Sequence, residues 1–164
     1  MRLADWKKKI QTEFNKYIRL RDKDKPCISC GRHHQGQYHA GHYRSVGACP
    51  ELRYDERNCF KQCAPCNNHL SGNLIEYRIN LVKKYGQSAV DFLEGKHEPL
   101  NLTIPEAKDL LAYWKHKVKE IKSRDCGDSC GDCGYLMRGF WLFCANIANK
   151  VPVHYTQLTI PRNA

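Results

Sequence analysis

"KQCAPCNNHLSGN", residues 61–73, is the stretch on which the reading of this chain turns. A C-x-x-C pair, Cys63 and Cys66, runs directly into Asn67, Asn68 and His69. A second pair, Cys27 and Cys30, stands upstream in "CISC". Zinc takes four soft ligands at tetrahedral corners, and each C-x-x-C turn presents two thiolates to one ion. Two such turns close one site and anchor the segment between them, so the four cysteines read as ligands of a single structural zinc. His33, His34 and Cys59 lie near enough in sequence to substitute, but each would leave an incomplete pair. The competing reading is two unrelated pairs of buried thiols.

Around this frame the composition narrows the choice. The chain has 164 residues, room for one domain or one domain plus a tail. Lys and Arg number 27 against 17 Asp and Glu, a net charge of +10 that favours a polyanionic partner, nucleic acid first. Ten cysteines are many for this length. The basic start "MRLADWKKKI" has no apolar run behind it, which predicts no secretory signal, and no stretch has the apolar length of a membrane span. A cytoplasmic setting is therefore expected, where thiols stay reduced and paired cysteines point to metal.

Residues 5–22 carry Trp6, Ile10, Phe14, Tyr17 and Ile18 at helical spacing and predict an amphipathic helix ended by "DKDKP". Residues 27–66 suit tight hairpins organised by a metal. A second helix is predicted from Asn67, with Leu70, Leu74, Tyr77 and Leu81 on one face and Gly86 past its end. "SAVDFLEG" adds a short helical turn closed by Gly95. "TIPE", residues 103–106, is a capping box, opening a helix over 104–122 with Leu111, Trp114, Val118 and Ile121 as its stripe. Residues 1–122 hold 23 of the basic and 14 of the acidic residues. From residue 123 to 164 the composition changes, no period is evident, and a separate, irregular tail is expected. Its Cys126, Cys130 and Cys133, with Cys144 or His154, make a weak pattern for a second metal.

Between the cysteine pairs lie "HAGH" (39–42) and "YDERN" (54–58), with "NNH" (67–69) directly after the last cysteine. That order of a hairpin histidine, a loop asparagine and an Asn or His after the cysteines resembles an HNH nuclease of the ββα-metal class. The longer motifs "FNKYIRLRD", "PCISCGRHH", "QYHAGHYRSVGA", "ELRYDERN" and "KQCAPCNNHLSGN" resemble the lambdoid-phage NinG family, also called Rap, over about residues 3–122. The resemblance implies an α+β fold, a zinc-organised ββα-metal finger over about 27–84 flanked by the two amphipathic helices. It also implies a structure-specific endonuclease acting on branched DNA such as Holliday junctions and D-loops.

Carried onto these residues, the resemblance makes His42 the general base, suited to it because imidazole titrates near neutrality. Asn58 matches the middle asparagine that ties the loop and orients the base. Asn67 matches the last position, where a side-chain oxygen holds Mg²⁺ or Mn²⁺. The bland alternatives are a zinc ligand or solvated histidine at 42, a turn residue at 58 and a helix cap at 67. Many relatives carry a metal-binding Asp or His directly before the base, where this chain has Gly41. His39 is the substitute candidate, but residues three apart on a regular strand face opposite ways, so a bulge at Gly41 would be required. His69 reads as a helix-surface residue.

Arg44, Arg32, Arg53, Arg57 and Lys61, with Lys8, Lys16 and Arg19 of the first helix, are candidate phosphate contacts that position DNA without reading sequence. A C2 homodimer is expected, since a four-way junction takes two matched cuts, with the stripes at 6–18 and 111–121 as its seam. Two alternatives stand beside this reading: a non-catalytic zinc-organised DNA-binding module, and a broader-specificity HNH nicking nuclease.

Overall fold

The structure, a computed structural model, describes residues 1–125; the expected second metal site of the tail lies outside them. Helix α1, Leu3–Arg21, opens with the Asp5 carboxylate accepting the Arg2 backbone N–H at 3.1 Å. It buries Ile10, Phe14, Tyr17 and Ile18, the face expected from their spacing. Asp22 ends it, its N–H donating to the Ile18 carbonyl. The chain then enters strand β1, Tyr38–His42, which pairs antiparallel with β2, Cys59–Cys63. The register runs without interruption from Tyr38 opposite Cys63 to His42 opposite Cys59.

Alternation along β2 sends its side chains to two different cores. Cys59 joins the core formed with α1, whereas Phe60 joins Leu52, Tyr77, Leu81, Val90 and Leu93 on the other side. Both faces of a two-stranded sheet are thereby covered, and every residue of β2 is buried.

After β2 comes one wide helical turn, Pro65–His69, and then α2, Leu74–Tyr85. The helix expected from Asn67 thus begins seven residues later. Ser71, Gly72 and Asn73 take positive φ values of 47°, 89° and 44°, a left-handed run that no α-helix crosses. The break also turns Leu70 and Leu74 outward, 58% and 47% exposed, leaving Tyr77 and Leu81 to face the core. Gly86, at φ 83°, separates α2 from α3, Gln87–Glu94.

Helix α4, Ile104–Asp125, starts at the anticipated capping box: Glu106 accepts the Thr103 N–H at 2.8 Å, and the Thr103 hydroxyl accepts the Glu106 N–H at 3.4 Å. Trp114 stands 4.8 Å from the Phe14 ring and 5.1 Å from Tyr17, and is 1% exposed. The stripes at 6–18 and 111–121, expected to form a dimer seam, are instead pressed together within one chain. Each offers the apolar face that the other needs to cover. Met1–Lys122 form a compact unit with the hairpin between the α1–α4 pair and the α2–α3 pair.

Candidate metal centre and hairpin site

Cys27 and Cys30 sit in the turn before β1, tightened by Gly31 at φ 66°, whose N–H donates to the Cys27 carbonyl at 2.9 Å. Cys63 ends β2, and Cys66 lies in the turn that follows. The four Sγ atoms all lie within 4.8 Å of one another, with Cys30 and Cys63 at 4.0 Å. A tetrahedral zinc with Zn–S of about 2.3 Å sets its sulfurs about 3.8 Å apart. A disulfide needs about 2.05 Å.

Donors surround the sulfurs. The Cys63 N–H donates to Cys27 Sγ at 3.4 Å and Asn73 Nδ2 to Cys66 Sγ at 3.8 Å, while His34 Nε2 lies 3.1 Å from Cys30 Sγ. Burial works against a Cys27 thiolate, but the surrounding N–H groups outweigh it and lower its pKa; at Cys63 burial wins and pushes the thiol up to about 12. A divalent cation brings all four to thiolates. The donor set fits zinc. Cys59 lies at the far end of β2 beside His42, so it does not join the cluster.

His42 closes β1. Its Nε2 lies 2.9 Å from the Arg53 carbonyl oxygen, which can only accept, so Nε2 carries the proton and Nδ1 the lone pair. Nδ1 is 3.7 Å from Cys59 Sγ, a weak donor kept protonated by burial. The half-buried ring packs 6.0 Å from Phe14. Burial, aided by the Arg53 charge, lowers the His42 pKa below 6.5 despite the bond to the carbonyl, so the imidazole is neutral at pH 7.

Asn58 is fully buried. Its Nδ2 donates to the Arg44 and Leu52 carbonyls at 2.9 and 3.1 Å, and its Oδ1 accepts the Arg44 N–H at 2.7 Å. One side chain thus ties both arms of the 43–58 loop. The Leu52 carbonyl it grips immediately precedes the Arg53 carbonyl that holds His42.

Asn67 belongs to a different group. Its Nδ2 donates to Asn68 Oδ1 at 2.8 Å, and Asn68 Nδ2 lies 3.4 Å from His39 Nε2. These three side chains gather near the Cys63 end of the hairpin, and the exposed His69 follows them in the same turn. No bulge interrupts β1 at Gly41, so His39 and His42 face opposite sides, about 10 Å apart along the strand. His42 and Asn67 share no hydrogen bond. The absence of a side chain at 41 has a physical reason: a Cβ there would overlap Oε1 of the fully buried Gln62. Gln62 cannot swing away, because its Nε2 is held by Ser29 Oγ at 2.6 Å and the Gly72 carbonyl at 2.5 Å.

The cations divide sharply. Lys61, expected on phosphate, is only 6% exposed; its Nζ donates to the Lys23 carbonyl at 2.7 Å and lies 4.3 Å from the Tyr38 ring. It sits on the strand face covered by α1, and the structure corrects its assignment to packing. Arg53 donates to Gln11 Oε1 at 2.7 Å, and Arg57 forks onto Asp55 with its guanidinium 4.0 Å from the Phe92 ring. Arg44 Nε donates to Cys49 Sγ at 3.4 Å. Arg32, Lys8 and Arg19 are exposed and Lys16 is half-exposed. Sequence reasoning missed Asp22, which at 1% exposure accepts from Arg21 and Lys25 at 2.7 Å and from the Lys61 N–H at 3.2 Å, binding the end of α1 to β2. It also missed Asn68, whose only signal was the doubled asparagine.

A small α+β domain whose two-stranded hairpin is flanked by a four-cysteine cluster able to hold a zinc ion is the class that these elements define. Residues 1–125 match the family described as Bacteriophage Lambda NinG protein, and the chain belongs to the NinG family. Protein ninG of Escherichia phage lambda is 47% identical over 118 residues, covering 72% of this chain and 58% of that relative. Protein ninG of Salmonella phage P22 is 46% identical over 117 residues, covering 71% and 58%, and that of Escherichia phage 933W is 46% identical over 118, covering 72% and 59%. The chain spans a little under three fifths of the length of these curated relatives. No solved structure matches it. Among the described residues, no helix is long and apolar enough to cross a membrane.

Proposed function

We propose that this chain is a structure-specific DNA endonuclease of phage recombination, hydrolysing branched DNA with His42 as general base. One observation carries the reading: Asn58 fixes the Leu52 carbonyl, the adjoining Arg53 carbonyl takes the His42 Nε2–H, and Nδ1 is left as the basic atom of a neutral imidazole. Such a group accepts a proton from water at working pH, and the Cys59 thiol is too weak a partner to compete strongly for it. Mg²⁺ or Mn²⁺, when bound with DNA, supplies positive charge for the leaving 3′-oxygen. Asn67, His39 and Asn68 are the groups that would hold it; none is a carboxylate, so DNA phosphate would balance its charge. The two groups lie on opposite faces of the hairpin, about 10 Å apart along β1, so one phosphodiester would meet both only after the segment carrying Asn67 and Asn68 rearranges around bound DNA. A C2 homodimer would supply the two cuts a four-way junction takes, with a seam outside the α1–α4 stripes.

A second reading, a zinc-organised DNA-binding module without catalysis, is favoured by one fact: both ring nitrogens of His42 have protein partners and neither reaches Asn67. Cleavage of labelled four-way, three-way, D-loop and linear DNA in Mg²⁺ separates the two. Cleavage of branched substrates by the wild type, abolished in His42→Ala while junction binding and zinc content persist, is the expected outcome. A His42→Ala variant that cuts at the wild-type rate would remove His42 from the chemistry, and a wild type that binds but never cuts would favour the module. Equal cutting of linear duplex would indicate the broader nicking nuclease.

A further inference from the structure

The cations of the hairpin and its loop are spent on internal contacts, whereas a second set is not. On α4, Lys108, Lys115, Lys119 and Lys122 are all exposed and recur at helical spacing, so they fall on one line about 21 Å long. Among the described residues none of the four has a carboxylate partner; Glu120, on a neighbouring line, pairs instead with His116 at 3.9 Å. Helices α1 and α4 run parallel, since Trp6 lies by Lys108, Phe14 by Trp114 and Tyr17 by Lys117. At the shared N-terminal end the Trp6 ring sits between Lys9 of α1 at 5.7 Å and Lys108 of α4 at 5.8 Å. That ring joins the lysine line of α4 to α1 on one side of the helix pair.

We propose that this side of the α1–α4 pair is a docking surface for the sugar-phosphate backbone of a DNA duplex arm, separate from the hairpin. At about 3.4 Å of axis per step, a lysine line of this length spans roughly six base-pair steps of a duplex arm, whose backbone phosphates pass within reach of its side chains. Ammonium groups with no carboxylate partner release condensed counterions from DNA without first breaking an ion pair. Lysine suits the task because it offers a mobile point charge and no base-reading fork, as backbone contact independent of sequence requires. An anionic membrane is the rival partner for a basic amphipathic helix, but such a helix must bury its apolar face in lipid. Here that face is already committed to α1 through Leu110, Leu111, Trp114 and Val118.

The surface takes its partner, DNA, from the function proposed above, yet its test does not depend on cleavage. The 164-residue chain carrying Lys115→Ala, Lys119→Ala and Lys122→Ala together is titrated onto a labelled duplex by fluorescence anisotropy, without divalent cations and across a series of KCl concentrations. The expected result is an affinity reduced about tenfold or more and a log–log salt slope smaller by about 3, one unit per lost phosphate contact. Alanine favours helix, so far-UV circular dichroism and zinc content are expected to match the wild type. The triple Lys→Arg variant, which keeps the charge, is expected to restore both slope and affinity. An unchanged slope in the alanine variant would overturn the proposal. So would unchanged duplex binding with loss of binding to phosphatidylglycerol vesicles, which would assign the surface to membrane.

Discussion

His42 is held in surroundings that disagree about its charge. Burial and the nearby Arg53 cation oppose protonation, the Arg53 carbonyl favours it, and the balance lowers the pKa below 6.5. Well above pH 6.5 the imidazole is neutral in folded and unfolded chains alike and adds no pH dependence. As pH falls below 6.5 the unfolded chain takes up the proton first, so stability declines until the folded pKa is passed. Urea midpoints at a neutral and a mildly acidic pH are expected to fall more for the wild type than for His42→Gln. Equal losses in the two proteins would show that this ring is not the titrating group. The comparison cancels the acid sensitivity of the cysteine ligands, which both proteins share. At Asp22 the sign is the same for a different reason: burial disfavours its charge, but Arg21 and Lys25 outweigh burial and lower the carboxyl below 3.8, so its contribution too is lost on acidification, in stronger acid. Little at this scale was legible beforehand. His42 and Asn58 stood out through motif order, whereas Lys61 meets Asp22 and Lys23 across 39 and 38 residues and nothing local announces those contacts.

The hairpin owes its flat register to a crowded centre. Gly41 is required because Gln62 fills the space where its side chain would be, and φ at 41 is not in the left-handed region, so the restriction is one of room. Gly41→Ala is expected to cost about 1–3 kcal/mol in urea unfolding. In a Gln62→Ala background, where the space is open, the same change should cost measurably less, because contacting residues couple. Additive losses in the double variant would mean that the two positions do not touch. Local elements were the most readable level of this chain. Thr103 and Glu106 announced a helix start, and the 3.6-residue period placed α1 within two residues of its bounds. The start of α2 was misplaced because apolar spacing continued through Leu70 and Leu74, while Ser71, Gly72 and Asn73 turned the backbone left-handed between them. The pairing of α1 with α4 was invisible for another reason: an amphipathic stripe states that it must be covered, not by what.

At the level of the molecule, a zinc held by the four cysteines would tie together the turn after α1, the end of β2 and the turn before α2, three parts that also meet through Ser29, Gln62 and Gly72. Chelation at neutral pH is therefore expected to lower the melting temperature sharply, with recovery on adding Zn²⁺ and none on adding Mg²⁺. Elemental analysis of residues 1–125 should return one zinc per chain; a protein that melts identically with and without chelator would contradict a structural ion. The cysteine spacing made this centre the most legible feature of the whole. The loop between the strands carries a different implication. Since Asn58 clasps Arg44 on one arm and Leu52 on the other, the intervening excursion is a sealed ring whose circumference the strands do not sense. Lengthening a ring already closed at its neck adds little entropy cost, growing only with the logarithm of its length. The exposed Gly47, with nothing within 4 Å of an added Cβ, is then a berth at which a reporter peptide can be spliced beside His42 without shifting the strands that carry it.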